Sequence, residues 1–133
     1  MSASAVQFFY NAMRSMDPGA LAASFTDDVV VVQPSALPYG GTTTSREEFF
    51  EKVFGYTSQR ASFRIETSEA FGDGARLAGH FTATWTALGS GETFFYNQAE
   101  LYEVTNGKIS KVEVFQQDTP GWIEFLDRNK PPS

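Results

Sequence analysis

Residues 92–117 read ETFFYNQAELYEVTNGKISKVEVFQQ, and this stretch decides the fold. Asn106-Gly107 divides it into two runs rich in β-branched and aromatic residues. Asn-Gly between such runs is the strongest short-range hairpin signal, because both residues tolerate the positive φ that a tight turn requires. The spacing therefore predicts one strand over 92–104 and a last strand over 108–117. In the first of these, Phe94, Tyr96 and Tyr102 share one face and Phe95 and Leu101 the other. A sheet with one face in water alternates apolar with polar. Apolar groups on both faces predict that the outer one is covered, and a homodimer through the outer sheet face is the expectation.

Upstream, period two continues. Phe63, Ile65, Thr67 and Phe71 alternate with polar residues, Gly72-Asp73-Gly74 turns, and 75–87 forms the next strand before Gly89-Ser90-Gly91 turns again. The first third reads helical. Val6, Phe9, Tyr10 and Met13 follow the i, i+3, i+4, i+7 spacing of one buried stripe. Ser4 with Gln7 makes a capping box, and Asp17-Pro18 opens a short second helix with Leu21 and Phe25 inward, closed by Asp27-Asp28. Val29 to Gln33 is a β-branched strand ended by Pro34. A turn-rich loop leads to a second capping box at Ser45–Glu48 and a helix carrying Phe49, Phe50, Val53 and Phe54, with Gly55 at its end. Thr119-Pro120 starts a final short helix bearing Trp122, Phe125 and Leu126, and the tail 130–133 is expected to fray. The order α-α-β-α-β-β-β-β segregates helices from a meander. That predicts one α+β domain over 1–133, with its core at about 5–118.

Composition bounds the function. The 133 residues hold thirteen Phe, five Tyr and two Trp, but one His and no Cys. Such a chain is suited to walling an apolar pocket. It offers no thiol catalysis, no zinc site of a usual kind and no disulfide framework. A net charge of -6 argues against nucleic acid and against an anionic membrane surface. No apolar run approaches the ~20 residues that span a bilayer, and the first residues lack a signal-peptide pattern, so a cytoplasmic protein is expected. No phosphate loop or nucleophile elbow occurs, and no cofactor is expected.

Three segments carry a family resemblance: FTDDVVVVQP at 25–34 with YGG at 39–41, SREEFF at 45–50, and VTNGKISKVEVF at 104–115. Together they resemble the nuclear transport factor 2-like superfamily, in its SnoaL-like and ketosteroid-isomerase-like branch. The resemblance implies a cone-shaped, curved antiparallel sheet wrapped around the N-terminal helices, a cystatin-like α+β barrel, with an apolar pocket at the wide end. Members of the superfamily include isomerases, polyketide cyclases, epoxide hydrolases, dehydratases and non-catalytic binding proteins, many of them dimers. Residue by residue, the isomerase machinery is missing. Gln33 stands where the general base would be, Phe9 where the oxyanion tyrosine would be (Tyr10 is one place along), and Ala99 where the protonated aspartate would be. Val114 occupies the position of the cyclase aspartate.

The candidates that remain for proton transfer are Asp118 and His80. Asp118 follows the last strand on the parity of Val112, Val114 and Gln116; it is also placed to cap the terminal helix. His80 belongs to the one side-chain type whose ordinary pKa lies near neutrality. Over strand 75–87 alternation and alignment disagree. Alternation turns Leu77, Phe81, Ala83 and Trp85 inward; alignment turns His80, Thr82, Thr84 and Thr86 inward and is slightly preferred. The amides Gln33, Asn97 and Gln116, with Tyr10, Tyr56, Trp85 and Val114, are the expected substrate-binding residues, and no metal ligand is expected. The sequence thus predicts a cofactor-free acid–base enzyme of isomerase, cyclase, dehydratase or epoxide hydrolase type, acting on a small hydrophobic oxygenated molecule. The alternative is a non-catalytic lipophile-binding or dimeric interaction module.

Overall fold

The structure is a computed structural model, and it describes residues 3–74 and 76–131. Helix α1 (Ala3–Ser15) buries Val6, Phe9, Tyr10 and Met13 as its spacing predicts. Met16, in the left-handed region at φ 53°, ends it. Asp17 then caps α2 (Pro18–Ala23), accepting from the amides of Gly19 and Ala20, with Pro18 supplying the fixed φ of a first helical turn. Strand β1 (Phe25–Gln33) starts four residues earlier than Val29. Phe25 is therefore a buried strand residue rather than the inner side of α2, and Asp27-Asp28 lies within the strand. A short β2 (Gly41–Thr43) follows.

Ser45 caps the next helical run by accepting from the Glu48 amide at 3.1 Å, while Glu48 Oε1 accepts from the Thr44 amide at 2.9 Å. That run consists of α3 (Arg46–Phe49), a π-helical turn (Phe50–Phe54) and α4 (Gly55–Ser58). Gly55 does not stop it: its φ of -60° is helical, so the left-handed cap that glycine favours is not used. Strands β3 (Ala61–Phe71), β4 (Arg76–Ala87), β5 (Thr93–Thr105) and β6 (Lys108–Gln116) form the predicted meander. Asn106 and Gly107 turn the last hairpin with φ of 51° and 78°. Helix α5 (Thr119–Arg128) closes the described chain. Ala75, expected to open the fourth strand, and residues 132–133 of the tail lie outside the described residues.

The six strands form one curved, unclosed sheet in the order β2-β1-β6-β5-β4-β3. Its pairs are antiparallel except β1 with β6, which run parallel and are joined through the helical run and the whole meander. The helices gather on the concave side, where Phe9, Phe25, Phe49, Phe81, Trp85 and Trp122 belong to one buried apolar cluster. Fully burying a large apolar side chain is worth about 1.5–3 kcal/mol, so this cluster holds helices to sheet. Among the described residues no helix is long and apolar enough to cross a membrane.

Candidate functional site

On β4 the apolar residues Leu77, Phe81, Ala83 and Trp85 are buried; of the even set Thr82 is buried but His80, Thr84 and Thr86 are not, and none of the four lines the cavity on the concave side. The preference for an inward even set is thereby overturned. Bulky groups gain more from burial than threonine or histidine, so simple alternation decides the facing. On β5 the same parity brings Tyr96, Gln98, Glu100 and Tyr102 to the buried concave face.

A cavity of about 70 Å³ lies between this face and the helices. Its walls are aromatic and aliphatic: Phe9 and Met13 from α1, Phe49, Val53 and Phe54 from the helical run, and Phe81 and Trp85 from β4. Gln33, Tyr39, Thr57, Tyr96, Gln98 and Glu100 are its polar residues, and Val112 and Val114 form its floor from β6. Among the described lining residues none is Lys, Arg or His, and Glu100 is the one carboxyl.

Glu100 is 4% exposed. Its Oε1 accepts from the Tyr10 hydroxyl at 3.0 Å and from the Tyr102 hydroxyl, and its Oε2 accepts from Gln98 Nε2 at 2.9 Å. Burial raises its pKa above the ordinary value of 4.5, and the three donors, which favour the anion, only partly offset this. The same burial, with the carboxyl beside them, raises the Tyr10 and Tyr102 pKa values, so both phenols stay protonated donors. Gly79 makes room for the cluster. A Cβ there would overlap the Tyr10 hydroxyl and come within 2.9 Å of Tyr102 Cε2. A glycine inside a strand often marks such a close approach.

Hydrogen bonds continue along β5. The Tyr96 hydroxyl donates to Gln98 Oε1 and accepts from Gln116 Nε2 at 2.7 Å. Tyr39 accepts from Trp122 Nε1 at 2.8 Å, and burial pushes its phenol up to about 12. Trp85 Nε1 and Gln33 Oε1 are buried without a partner among the described residues.

Of the residues expected from the sequence, Gln33, Trp85 and Val114 line the cavity. Tyr10 and Gln116 reach it through Glu100 and Tyr96. Tyr56 packs on Tyr39 with ring centroids 5.6 Å apart and under the Arg60 guanidinium, behind the wall. His80 and Asn97 meet each other at 2.7 Å on the opposite, outer face of the sheet. Asp118 is exposed, and its Oδ1 accepts from the Gly121 amide at 3.0 Å as the N-cap of α5. Glu100 and Gln98 were not anticipated. Their signal was available: counting by twos from Tyr96 to Tyr102 passes through both. Among the described residues no three His, Cys, Asp or Glu side chains gather as a metal would need.

Residues 6–112 match the SnoaL-like domain family. No curated protein matches the chain. Among solved structures, TerC co-crystallised with polyporic acid is 21% identical, with 95% of this chain and 98% of that one covered at a TM-score of 0.82. A nuclear transport factor 2-like protein of unknown function from Burkholderia pseudomallei is also 21% identical, with 94% and 96% covered at 0.80. A polyketide cyclase candidate from Pseudomonas putida is 19% identical, with 93% and 96% covered at 0.78. At these identities the likeness is one of fold.

Proposed function

We propose, because this chain belongs to the SnoaL-like domain family and its cavity holds one buried carboxyl, that it performs cofactor-free acid–base chemistry on a small, oxygenated, apolar molecule. The observation that carries the reading is Glu100. Burial raises its pKa above the ordinary carboxylate value, the direction in which a carboxyl becomes able to return a proton as well as take one. As the carboxylate it takes a proton from the carbon beside a carbonyl, and the C–H electron pair moves onto the carbonyl oxygen. Where a double bond is conjugated with the enolate, returning that proton to its far carbon isomerises the molecule; attack of the enolate carbon on a second carbonyl closes a ring, the new alkoxide oxygen taking the proton back from Glu100. Tyr10, Tyr102 and Gln98 hold the carboxyl in place. Structural neighbours named as polyketide cyclase candidates, and TerC with its polyporic acid, are in keeping with such a substrate. Asp118 and His80 are set aside as proton carriers, since one caps a helix and the other faces away.

The test needs no knowledge of the natural substrate. Deuterium from D₂O entering the methyl group of 4-hydroxyacetophenone, followed by NMR, reports α-proton transfer. Wild type accelerates it, and Glu100→Gln loses about 10²–10⁴-fold, the usual worth of one placed acid–base group. Equal rates in the two proteins would sink the reading. The alternative, a non-catalytic binding module, draws support from Glu100 being already engaged by three donors of its own chain. It predicts ligand binding with no exchange.

The outer face supports a second proposal, a second copy of this chain as its cover. Phe95, Leu101 and Phe115 are 61%, 47% and 49% exposed there. A neighbouring groove carries Arg76 and Lys111 beside Glu103 and Glu113. Charges of both signs on one patch are self-complementary under a two-fold axis.

A further inference from the structure

Within the cavity, three features bear on what it admits. The first is charge. No cationic side chain stands among the described lining residues, and the one carboxyl has its oxygens taken by Tyr10, Tyr102 and Gln98. An anion would enter a low-dielectric space with nothing to pair it, and an ammonium would have to share Glu100 with the three donors it already holds.

The second is size. About 70 Å³ is less than the ~150 Å³ of an engineered apolar cavity that binds benzene. One ring therefore enters only with outward movement of the lining side chains. Several fused rings do not, because Phe25, Phe49 and Phe50 already lie in ring-to-ring contact at 5.4–5.9 Å.

The third is the pair of unpartnered atoms. Trp85 Nε1 is a donor and Gln33 Oε1 an acceptor; both are buried, and both residues line the cavity. An unsatisfied buried polar atom costs about 1–3 kcal/mol, which a ligand atom of the opposite kind relieves. Trp85 is on β4 and Gln33 on β1, three strand positions apart across the concave sheet. A ring substituted at opposite ends is suited to meet both.

We infer that the cavity takes an uncharged single-ring molecule whose carbonyl accepts from Trp85 Nε1 and whose hydroxyl donates to Gln33 Oε1. Trp85 and Gln33 are then the residues that set orientation and specificity. The inference rests on the cavity being the site proposed above, and it names the substrate class for it.

Calorimetric titration of the full chain with six probes tests it: 4-hydroxyacetophenone, 4-methoxyacetophenone, 4-ethylphenol, 4-hydroxybenzoate, tyramine and 2-naphthol. Trp85→Phe should weaken the two ketones by about 3–10-fold, the worth of one hydrogen bond, and leave 4-ethylphenol unchanged. Gln33→Leu should weaken the two uncharged free phenols, 4-hydroxyacetophenone and 4-ethylphenol, equally and spare the methyl ether. The benzoate and tyramine should bind on the order of 100-fold more weakly than 4-hydroxyacetophenone. Because each variant is compared across ligands, a general loss of packing would weaken all probes alike, and that result overturns the assignment of Trp85 and Gln33. Tight binding of the charged probes, or of 2-naphthol with no single-ring probe bound, overturns the class while leaving the cavity as a site. If none of these probes binds wild type, both the inference and the site reading fall.

Discussion

Replacing Gly79 by alanine should be among the most damaging single-methyl changes in this chain, through one hydroxyl. The added Cβ would overlap the Tyr10 hydroxyl, come within 2.9 Å of Tyr102 Cε2 and lie 3.1 Å from Tyr10 Cζ. Overpacking of this kind costs about 1–3 kcal/mol. Displacing the hydroxyl also breaks its 3.0 Å bond to buried Glu100, worth about 1 kcal/mol more. The lower unfolded-state entropy of alanine offsets less than about 1 kcal/mol. The net expectation is about 2–3 kcal/mol of lost stability, read from urea unfolding with an unchanged slope. Tyr10→Phe removes the oxygen that the methyl meets first and retains the ring. In that background Gly79→Ala should cost about 1 kcal/mol, the remainder coming from Tyr102. A double-mutant cycle therefore carries a coupling of about 1–2 kcal/mol, within the range for residues in contact. A neutral Gly79→Ala, or an equal cost in both backgrounds, would refute the seating of Tyr10 against Glu100.

Asp118→Ala should cost about 1 kcal/mol, the usual worth of an N-cap, in urea unfolding, and should leave probe binding unchanged. His80→Ala should leave deuterium exchange at the wild-type rate, because its ring meets Asn97 outside the cavity; a loss approaching that of Glu100→Gln would contradict the placement. Since Glu100 has a folded-state pKa above its ordinary 4.5, its contribution to stability is full below that value and is lost as pH rises through the folded pKa. The stability of wild type relative to Glu100→Gln should accordingly fall as pH rises from 4.5, and a pH-independent difference would count against the burial argument. Leu101→Glu, on the exposed outer face, should halve the mass seen by light scattering at micromolar concentration; a monomeric wild type would exclude the second copy.

Elements with a strong local code were legible in the sequence. The stripe of α1, the caps at Asp17 and Ser45, the Asn106-Gly107 turn and the order of the meander all follow from spacing and turn chemistry. Short-range pattern does not encode partners distant in sequence, so the parallel pairing of β1 with β6 and the end of α2 at Ala23, before Asp27-Asp28, stayed hidden. Strand β4 shows why alignment is a poor guide to facing. A one-residue offset reverses every side chain, whereas the size difference between Trp85 and Thr84 sets the register physically. Glu100 was passed over for a related reason. Charged residues are expected outside, and its burial is made tolerable by Tyr10, ninety residues away, together with Tyr102 and Gln98. Gln33 and Val114 were found through the family resemblance, which puts them where an isomerase base and a cyclase aspartate would stand.

The protonation of Glu100 bears most directly on the whole account. Site-specific ¹³C labelling of its side-chain carboxyl, followed by NMR across pH in the unliganded protein, should show the neutral acid persisting above the ordinary 4.5. A carboxyl that ionises at or below that value would mean a solvated or ion-paired group, and the buried acid–base site would not exist.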